Sequence, residues 1–247
     1  MKTVLSLLIL SVYLSRTAPW LRLGLEHASL AEIRALLHPS IGFMLLPLSH
    51  TLLTQGPILV LASYGSPSFV VLYSASRTLT RLGMAGMNAI NSSFIAEYSY
   101  SLGRPSVQAF KSIGRYHASA TITAVIGYAA VMWVLAFPLL AIVTAGKVHP
   151  DATLILVLAM GVCVEMLWSA GVAALTVLGC HMGAAYALAS LSAMSVLLSI
   201  PATMRWGVIG PAWTAMVAHT ILVLFVAFRL LRLRSVAPRW ITVEQDR

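Results

Sequence analysis

The chain has 247 residues, of which 59% are hydrophobic and 9% are charged, against roughly 45–50% and about 25% in soluble domains. A soluble core of this length cannot bury so much apolar surface. The formal net charge of +9 fits basic loops beside membrane spans better than a nucleic-acid interface. We therefore predict an all-α, polytopic membrane protein with no soluble domain and no nucleic-acid partner.

Long stretches of the sequence carry no Asp, Glu, Lys or Arg. They lie between Arg34 and Arg77, Arg115 and Lys147, Glu165 and Arg205, and Arg205 and Arg229. Roughly 18 apolar residues suffice to cross a bilayer as a helix. These stretches therefore predict membrane spans, and the first and third are long enough for more than one.

Residues 1–38 precede the predicted helical bundle. Residues 4–14 are apolar but form a run shorter than a standard span, so we predict a short or incomplete helix there, which would be a seventh span if it crosses. Residues 20–38 are more polar. For them we predict an amphipathic connector on the cytoplasmic membrane surface.

Six helices follow, with predicted bounds of 39–64, 67–101, 117–145, 151–178, 182–203 and 206–231. Gly and Pro residues such as Gly65, Pro150 and Gly207 separate them. Residues 232–247 form a predicted basic tail. The expected organisation is an N-terminal segment over 1–38, a six-helix bundle over 39–231 and a cytoplasmic tail over 232–247.

The basic residues predict the orientation of these helices. The predicted loops on one side of the bundle hold Lys147 and Arg205. The loops and chain ends on the other side hold Arg16, Arg22, Arg34, Arg104, Lys111, Arg115, Arg229, Arg232, Arg234, Arg239 and Arg247. Because cytoplasmic loops carry the excess of Lys and Arg, we predict a cytoplasmic C-terminus. The predicted loops are too short for a large catalytic domain, and no phosphate-binding glycine motif occurs. We therefore expect a protein that is not an enzyme and that binds no cofactor.

Two arginines lie inside the second predicted helix. Arg77 and Arg81 are four residues apart and so share one face, at depths of roughly 15 and 21 Å from the outer end. Intramembrane arginines usually face a wet cavity or a partner. The pair therefore predicts a site for an anionic headgroup, with a structural clamp on backbone carbonyls or an acid as the alternative.

Three further ionisable residues are predicted at a similar depth. His50, Glu165 and His219 lie in three other helices, each roughly 20 Å from its outer end, and Glu165 is the one acid well inside the spans. We predict that the three residues form one buried polar layer with Arg81, in which Glu165 binds a proton or cation or pairs with the arginine. Two histidines and one glutamate give little support for a metal site, and we expect none.

Several sequence segments resemble a known family. They are HPSIGFMLLPLSHTLLTQGPILVLASYGSP, SASRTLTRL, FIAEYSYSLGRPS and RWGVIGPAWTAMVAHTILVL. In this order they resemble the C-terminal half of polysaccharide flippases of the Wzx type, which belong to the multidrug/oligosaccharidyl-lipid/polysaccharide exporter superfamily. The resemblance covers residues 36–231, which is nearly the whole chain. It corresponds to only one of the two helical bundles of the family.

The resemblance implies that the protein flips or exports lipid-linked oligosaccharide across the bacterial inner membrane by alternating access between two bundles. The carrier lipid of such a substrate bears a pyrophosphate, which would suit a cationic cavity containing Arg77 and Arg81. Its partners would be the lipid-linked glycan and membrane lipids. Because one bundle is represented, we also expect a second copy or a separate N-terminal bundle as a partner.

Three alternatives remain open from the sequence. A cation-coupled multidrug exporter of the same superfamily would depend on Glu165 rather than on Arg77 and Arg81. A membrane enzyme of glycan assembly would need a large outer loop or a catalytic His with an acid in a loop. The chain would also fit an inactive fragment of a longer flippase.

Overall fold

The computed structural model describes residues 29–102, 107–146 and 151–243, together with the isolated positions 6, 10, 13 and 17. Regular structure in these residues is entirely helical, as predicted. The elements are α1 (Leu30–Tyr64), α2 (Pro67–Thr80), α3 (Leu82–Leu102), α4 (Val107–Val143), α5 (Ala152–Val177), α6 (Met182–Trp206), a 3-10 turn (Gly207–Ile209) and α7 (Gly210–Val243).

The chain divides into two compact units, Met1–Ser40 and Ile41–Arg247. In the first unit, a capping box starts α1: Ser29 Oγ accepts the N–H of Glu32 at 3.1 Å, and Glu32 Oε2 accepts the N–H of Ser29 at 3.4 Å. The helix therefore begins at Leu30 rather than at 39. Residues 30–38 of the predicted connector are therefore helical and belong to α1, and most of 1–28 lies outside the described residues.

In the second unit, the predicted helix 67–101 is two helices. Ser66 caps α2 and Pro67 occupies its first position, where the missing N–H costs no bond. The helix ends at Thr80, Arg81 forms a turn, and α3 begins at Leu82. The prediction of one continuous helix is therefore wrong. The break is at Arg81, the arginine of the predicted polar layer.

Other boundaries also differ from the predictions. Since α4 begins at Val107 rather than at 117, Lys111 and Arg115 lie in its first turns and not in a loop. Similarly, α7 continues to Val243, so most of the predicted tail is helical. Helices α5 and α6 are close to their predicted bounds. The predicted loop cations Arg104 and Lys147 lie outside the described residues.

A core joins α1 to the three C-terminal helices. Leu53 of α1 packs among buried residues of α5, α6 and α7, which include Leu175, Leu188 and Leu222. The chain reverses direction between α6 and α7 at Gly207, whose φ of 59° favours glycine. The core thus holds together helices that carry three of the predicted polar-layer residues.

Within the described residues, four helical stretches are long and apolar enough to cross a membrane, as judged by length and composition. They are Leu30–Tyr64, Gln108–Ile142, Ala152–Val177 and Met182–Leu233, the last of which includes α6 and most of α7. With 14 residues, α2 is shorter than a span. Large apolar side chains such as Trp133 face outward, which is compatible with a membrane protein.

Candidate functional site

A buried carboxylate lies at the centre of four helical segments. Glu165 is the single charged residue of α5, and its side chain is 2% exposed. His50 of α1 places Nε2 at 2.7 Å from Glu165 Oε1, and Arg81 places a terminal guanidinium nitrogen at 3.5 Å from the same oxygen. His219 of α7 places Nε2 at 3.7 Å from Glu165 Oε2. We call these four residues the Glu165 cluster.

The turn between α2 and α3 positions Arg81. Its N–H donates to the carbonyl of Arg77, and its own carbonyl accepts the N–H of Met84, three residues on, at 3.0 Å. The carbonyl of Thr80 accepts the hydroxyl of Tyr128 from α4 at 2.7 Å. A neighbouring helix therefore supplies a hydrogen-bond partner for the backbone at the break, which a membrane interior would require.

Tyr128 reaches this carbonyl because the facing residue has no side chain. A Cβ atom added to Gly83 would collide with the Tyr128 ring. The glycine, the tyrosine and the broken helix thus form one arrangement that directs the Arg81 side chain towards Glu165.

A tryptophan orients the second histidine of the cluster. Trp168 lies three residues after Glu165 on α5 and therefore on a similar face of the helix. Its indole Nε1–H donates to His219 Nδ1 at 3.0 Å, in a buried contact. The indole thus supports His219 from the side opposite to Glu165.

Arg77 does not join the Glu165 cluster. It donates a hydrogen bond to the backbone carbonyl of Thr54, and its other terminal nitrogen lies 3.4 Å from Gln55 Oε1. These two residues lie in the turn of α1 before Pro57, which lacks an N–H and weakens the helix locally. Arg77 therefore clamps α2 to the backbone of α1, in keeping with the alternative prediction of a structural clamp for this residue.

Both arginines nevertheless line one small cavity. Its volume is about 40 Å³, and Glu165, His219, Tyr73 and Thr54 also contribute to its walls. At about 10–15 Å³ of such volume per water molecule, it has room for about three waters. The cavity can hydrate the cluster in this conformation, but it is too small for a pyrophosphate group.

A second buried polar group lies among α3, α4 and α5. His117 Nε2 is 3.0 Å from Asn91 Oδ1, and His117 Nδ1 is 3.4 Å from the hydroxyl of Tyr98. The Asn91 amide donates to Ser169 Oγ at 3.2 Å, and Ser169 donates to the carbonyl of Met166. We call Asn91, Tyr98, His117 and Ser169 the His117 cluster.

The structure brings together the four residues for which helix depth predicted one polar layer: His50, Arg81, Glu165 and His219. Arg77 and Arg81 both line the cavity, but they have different partners: Arg77 binds the carbonyl of Thr54, and Arg81 faces Glu165. In the described part of the chain, no group of three His, Cys, Asp or Glu residues has a geometry that could hold a metal ion.

Sequence reasoning assigned no chemistry to Trp168, Tyr128 or Asn91. Two signals were available in the sequence. Trp168 follows Glu165 by three residues, which places it on a neighbouring part of the helix surface, and Asn91 is a polar residue in a stretch rich in apolar ones. The role of Tyr128 had no local signal, because its partner is a carbonyl 48 residues away.

Comparison with family models, curated proteins and solved structures gives no match.

Proposed function

We propose that the protein is a multi-pass membrane transporter that moves a lipid-linked oligosaccharide across a bacterial inner membrane, and that it is not an enzyme. The observation that carries the proposal is the Glu165 cluster. Four segments of an apolar helical chain converge on one buried carboxylate through an arginine and two histidines. Ionisable residues inside spans are costly and usually mark a transport pathway or proton relay.

The substrate class follows from the charge around the cavity and from the resemblance to Wzx-type flippases. Arg77 and Arg81 present two guanidinium groups to one cavity, and guanidinium groups bind phosphate through paired N–H donors. A pyrophosphate-linked glycan would supply the matching anion. A drug-like cation would instead find two positive charges at this position.

The geometry suggests how binding would proceed. In the present conformation Arg81 has Glu165 as its counter-ion, and the cavity has room for water only. An anionic headgroup would therefore take Arg81 from Glu165 as the cavity opens. Arg77, held on the carbonyl of Thr54, would remain in place as the fixed half of the site. The exchange gives the two arginines different roles.

The proposed topology has six spanning helices and a cytoplasmic C-terminus. In this arrangement the broken pair α2 and α3 crosses the membrane together, with Arg81 at the discontinuity. Helices α6 and α7 cross separately on either side of Gly207. Discontinuous helices at mid-membrane depth are a common way to build transporter sites.

The test uses the purified chain in proteoliposomes that contain a fluorescent, pyrophosphate-linked oligosaccharide lipid. Flipping is measured as the fraction of the lipid that becomes accessible to a membrane-impermeant quencher. Arg81→Lys keeps the charge but removes the guanidinium fork. We expect a loss of about tenfold or more, the equivalent of one charged hydrogen bond.

The matched control is Arg205→Lys. Arg205 stacks over Trp206 at the end of α6 and does not line the cavity, so flipping should be unchanged. If the double variant Arg77→Ala, Arg81→Ala remains folded and flips the lipid normally, the headgroup site is wrong. If the wild-type chain is inactive alone and becomes active when a partner bundle is added, the headgroup site is kept, and transport is a property of the complex.

One observation favours a cation-coupled multidrug exporter as a second candidate: a carboxylate, not an arginine, is the most buried member of the cluster. For such an exporter, Glu165→Gln should abolish efflux of a cationic dye while the arginine variants retain it. The opposite pattern, with glycan flipping lost in the arginine variants, favours the flippase.

A further inference from the structure

The contact between Trp168 and His219 determines where the proton of this histidine lies. An indole Nε1–H is a donor only, whereas an imidazole nitrogen accepts a hydrogen bond only when it carries no proton. Because the indole donates to Nδ1 at 3.0 Å, Nδ1 is unprotonated. His219 is therefore neutral, and its proton is on Nε2, the nitrogen that faces Glu165 at 3.7 Å.

This arrangement also prevents His219 from becoming an imidazolium. A second proton would have to enter at Nδ1, where it would meet the indole N–H with no room or solvent: the side chain of His219 is 8% exposed, and Trp168 is buried. The planes of the two rings differ by 17°, and their centroids are 6.1 Å apart, as an in-plane hydrogen bond between the rings requires. His219 thus remains neutral.

His50 differs from His219 in its exposure and in its hydrogen-bond partners. Its side chain is 30% exposed, and its Nε2 is 2.7 Å from Glu165 Oε1 and 3.4 Å from the Arg81 guanidinium. Glu165 as a carboxylate requires a proton on this nitrogen, whereas Arg81 can donate to it only when the proton is absent. The His50–Glu165 contact is therefore the place in the cluster where a proton can move.

We propose that Trp168 is a positioning residue that keeps His219 as the neutral Nε2–H tautomer, so that a proton entering the cluster is carried by His50 and Glu165 and releases Arg81. One proton would bind His50 Nδ1 from water while the proton on Nε2 passes to Glu165 Oε1. The products are a neutral imidazole and a neutral carboxylic acid. Arg81 then lacks its counter-ion and is available to an anion.

Without the indole, the same proton could bind His219 instead. An imidazolium at His219 would keep Glu165 ionised, and Arg81 would stay paired. The titratable or charged side chains around Glu165 are Tyr73, Arg77 and Arg81 from α2 and its turn, Tyr128 from α4, Cys163 from α5, and His50 and His219. Of these, the two histidines compete for the proton, and Trp168 decides between them. The link to transport rests on the proposed function, but the tautomer does not.

The tautomer is measured by NMR of protein labelled with ¹⁵N at histidine, in lipid nanodiscs without substrate. The spectrum of His219→Gln, which lacks one imidazole, identifies the His219 signals. Nδ1 should have the shift of an unprotonated nitrogen and Nε2 that of a protonated one, and both shifts should stay the same as the pH is lowered. A protonated Nδ1 in the wild-type protein would overturn the proposal.

Trp168→Phe retains the ring and removes the N–H, and Trp133→Phe is the matched control, because Trp133 is 81% exposed. We expect His219 to lose its fixed tautomer in the first variant and to keep it in the control. His219→Gln retains an N–H donor near the position of Nε2 but cannot titrate. In that background, adding Trp168→Phe should leave the pH profile of transport unchanged, whereas Trp168→Phe alone should shift it.

The outcomes separate this inference from the proposed function. If His219 has the expected tautomer in the wild type and loses it in Trp168→Phe, but no glycan is flipped by any variant, the positioning role is supported and the substrate is wrong. If Trp168→Phe leaves the His219 signals unaltered, the positioning role is wrong whatever the protein transports.

Discussion

Helix α5 carries two buried polar clusters within about one turn of each other, and they differ in charge. The Glu165 cluster contains a carboxylate and a guanidinium, and it lines a cavity. The His117 cluster contains an amide, two hydroxyls and an imidazole, and its hydrogen bonds run in one direction from Tyr98 to the carbonyl of Met166.

The difference shows which kind of buried polar group suits the proposed transport role. Neutral side chains that hydrogen-bond across helices add modest stability, and the His117 cluster satisfies its own donors and acceptors without a charge. The Glu165 cluster has competing states, because His50 Nε2 cannot serve Glu165 and Arg81 in the same way at the same time. A site that must change state during a cycle needs such competition, and a helix contact does not.

The largest expected effect comes from removing the central carboxylate. Glu165→Ala leaves Arg81 in the bundle without its counter-ion, and breaking a buried pair in this way costs about 3–5 kcal/mol. We expect the lower end, since Arg81 and His50 are only partly buried, with side chains that are 27% and 30% exposed. The measurement is the free energy of unfolding in detergent micelles. Adding Arg81→Ala should recover part of the loss, whereas losses that simply add would mean that the two residues are not coupled.

A smaller effect is expected at the support for Arg81. Tyr128→Phe removes the hydroxyl that binds the Thr80 carbonyl, and an unsatisfied buried carbonyl costs about 1–3 kcal/mol. The matched control is Tyr116→Phe on the same helix, at a residue that is 69% exposed. Equal stability of the two variants would show that the break between α2 and α3 does not depend on Tyr128.

The smallest effect should come from the neutral cluster. Asn91→Ala removes hydrogen bonds to His117 and Ser169, and such bonds between membrane helices average about 0.6 kcal/mol. Asn88→Ala, at an exposed residue of the same helix, is the control. Transport should be retained in both variants. A complete loss of transport in Asn91→Ala without loss of stability would place the His117 cluster in the mechanism and end the contrast between the two clusters.

Helix depth was sufficient to predict the residues of the charged cluster, because a helix advances by a fixed rise per residue. Counting from each outer end placed His50, Arg81, Glu165 and His219 at one level. The same counting did not reveal that Arg77 and Arg81 have different partners, because it assumed a continuous helix through residue 81. The break depends on Tyr128 and Gly83, which meet across two helices, and no periodicity in one helix records such a contact.

Helix boundaries were predictable where side-chain capping was strong and local. Asp151 caps α5 by accepting the N–H of Thr153, and the predicted start at 151 was close. Ser29 and Glu32 have the spacing of a capping box at the start of α1. The sequence does not predict this start, because the charged residues that follow are equally typical of a separate surface segment.

The order in which the chain is synthesised bears on how Glu165 can enter a membrane at all. His50 precedes it by 115 residues, and Arg81 also comes earlier, so both partners are already made when α5 emerges from the ribosome. His219 and its helix come later. The carboxylate can therefore pair with its first two partners before α7 is made.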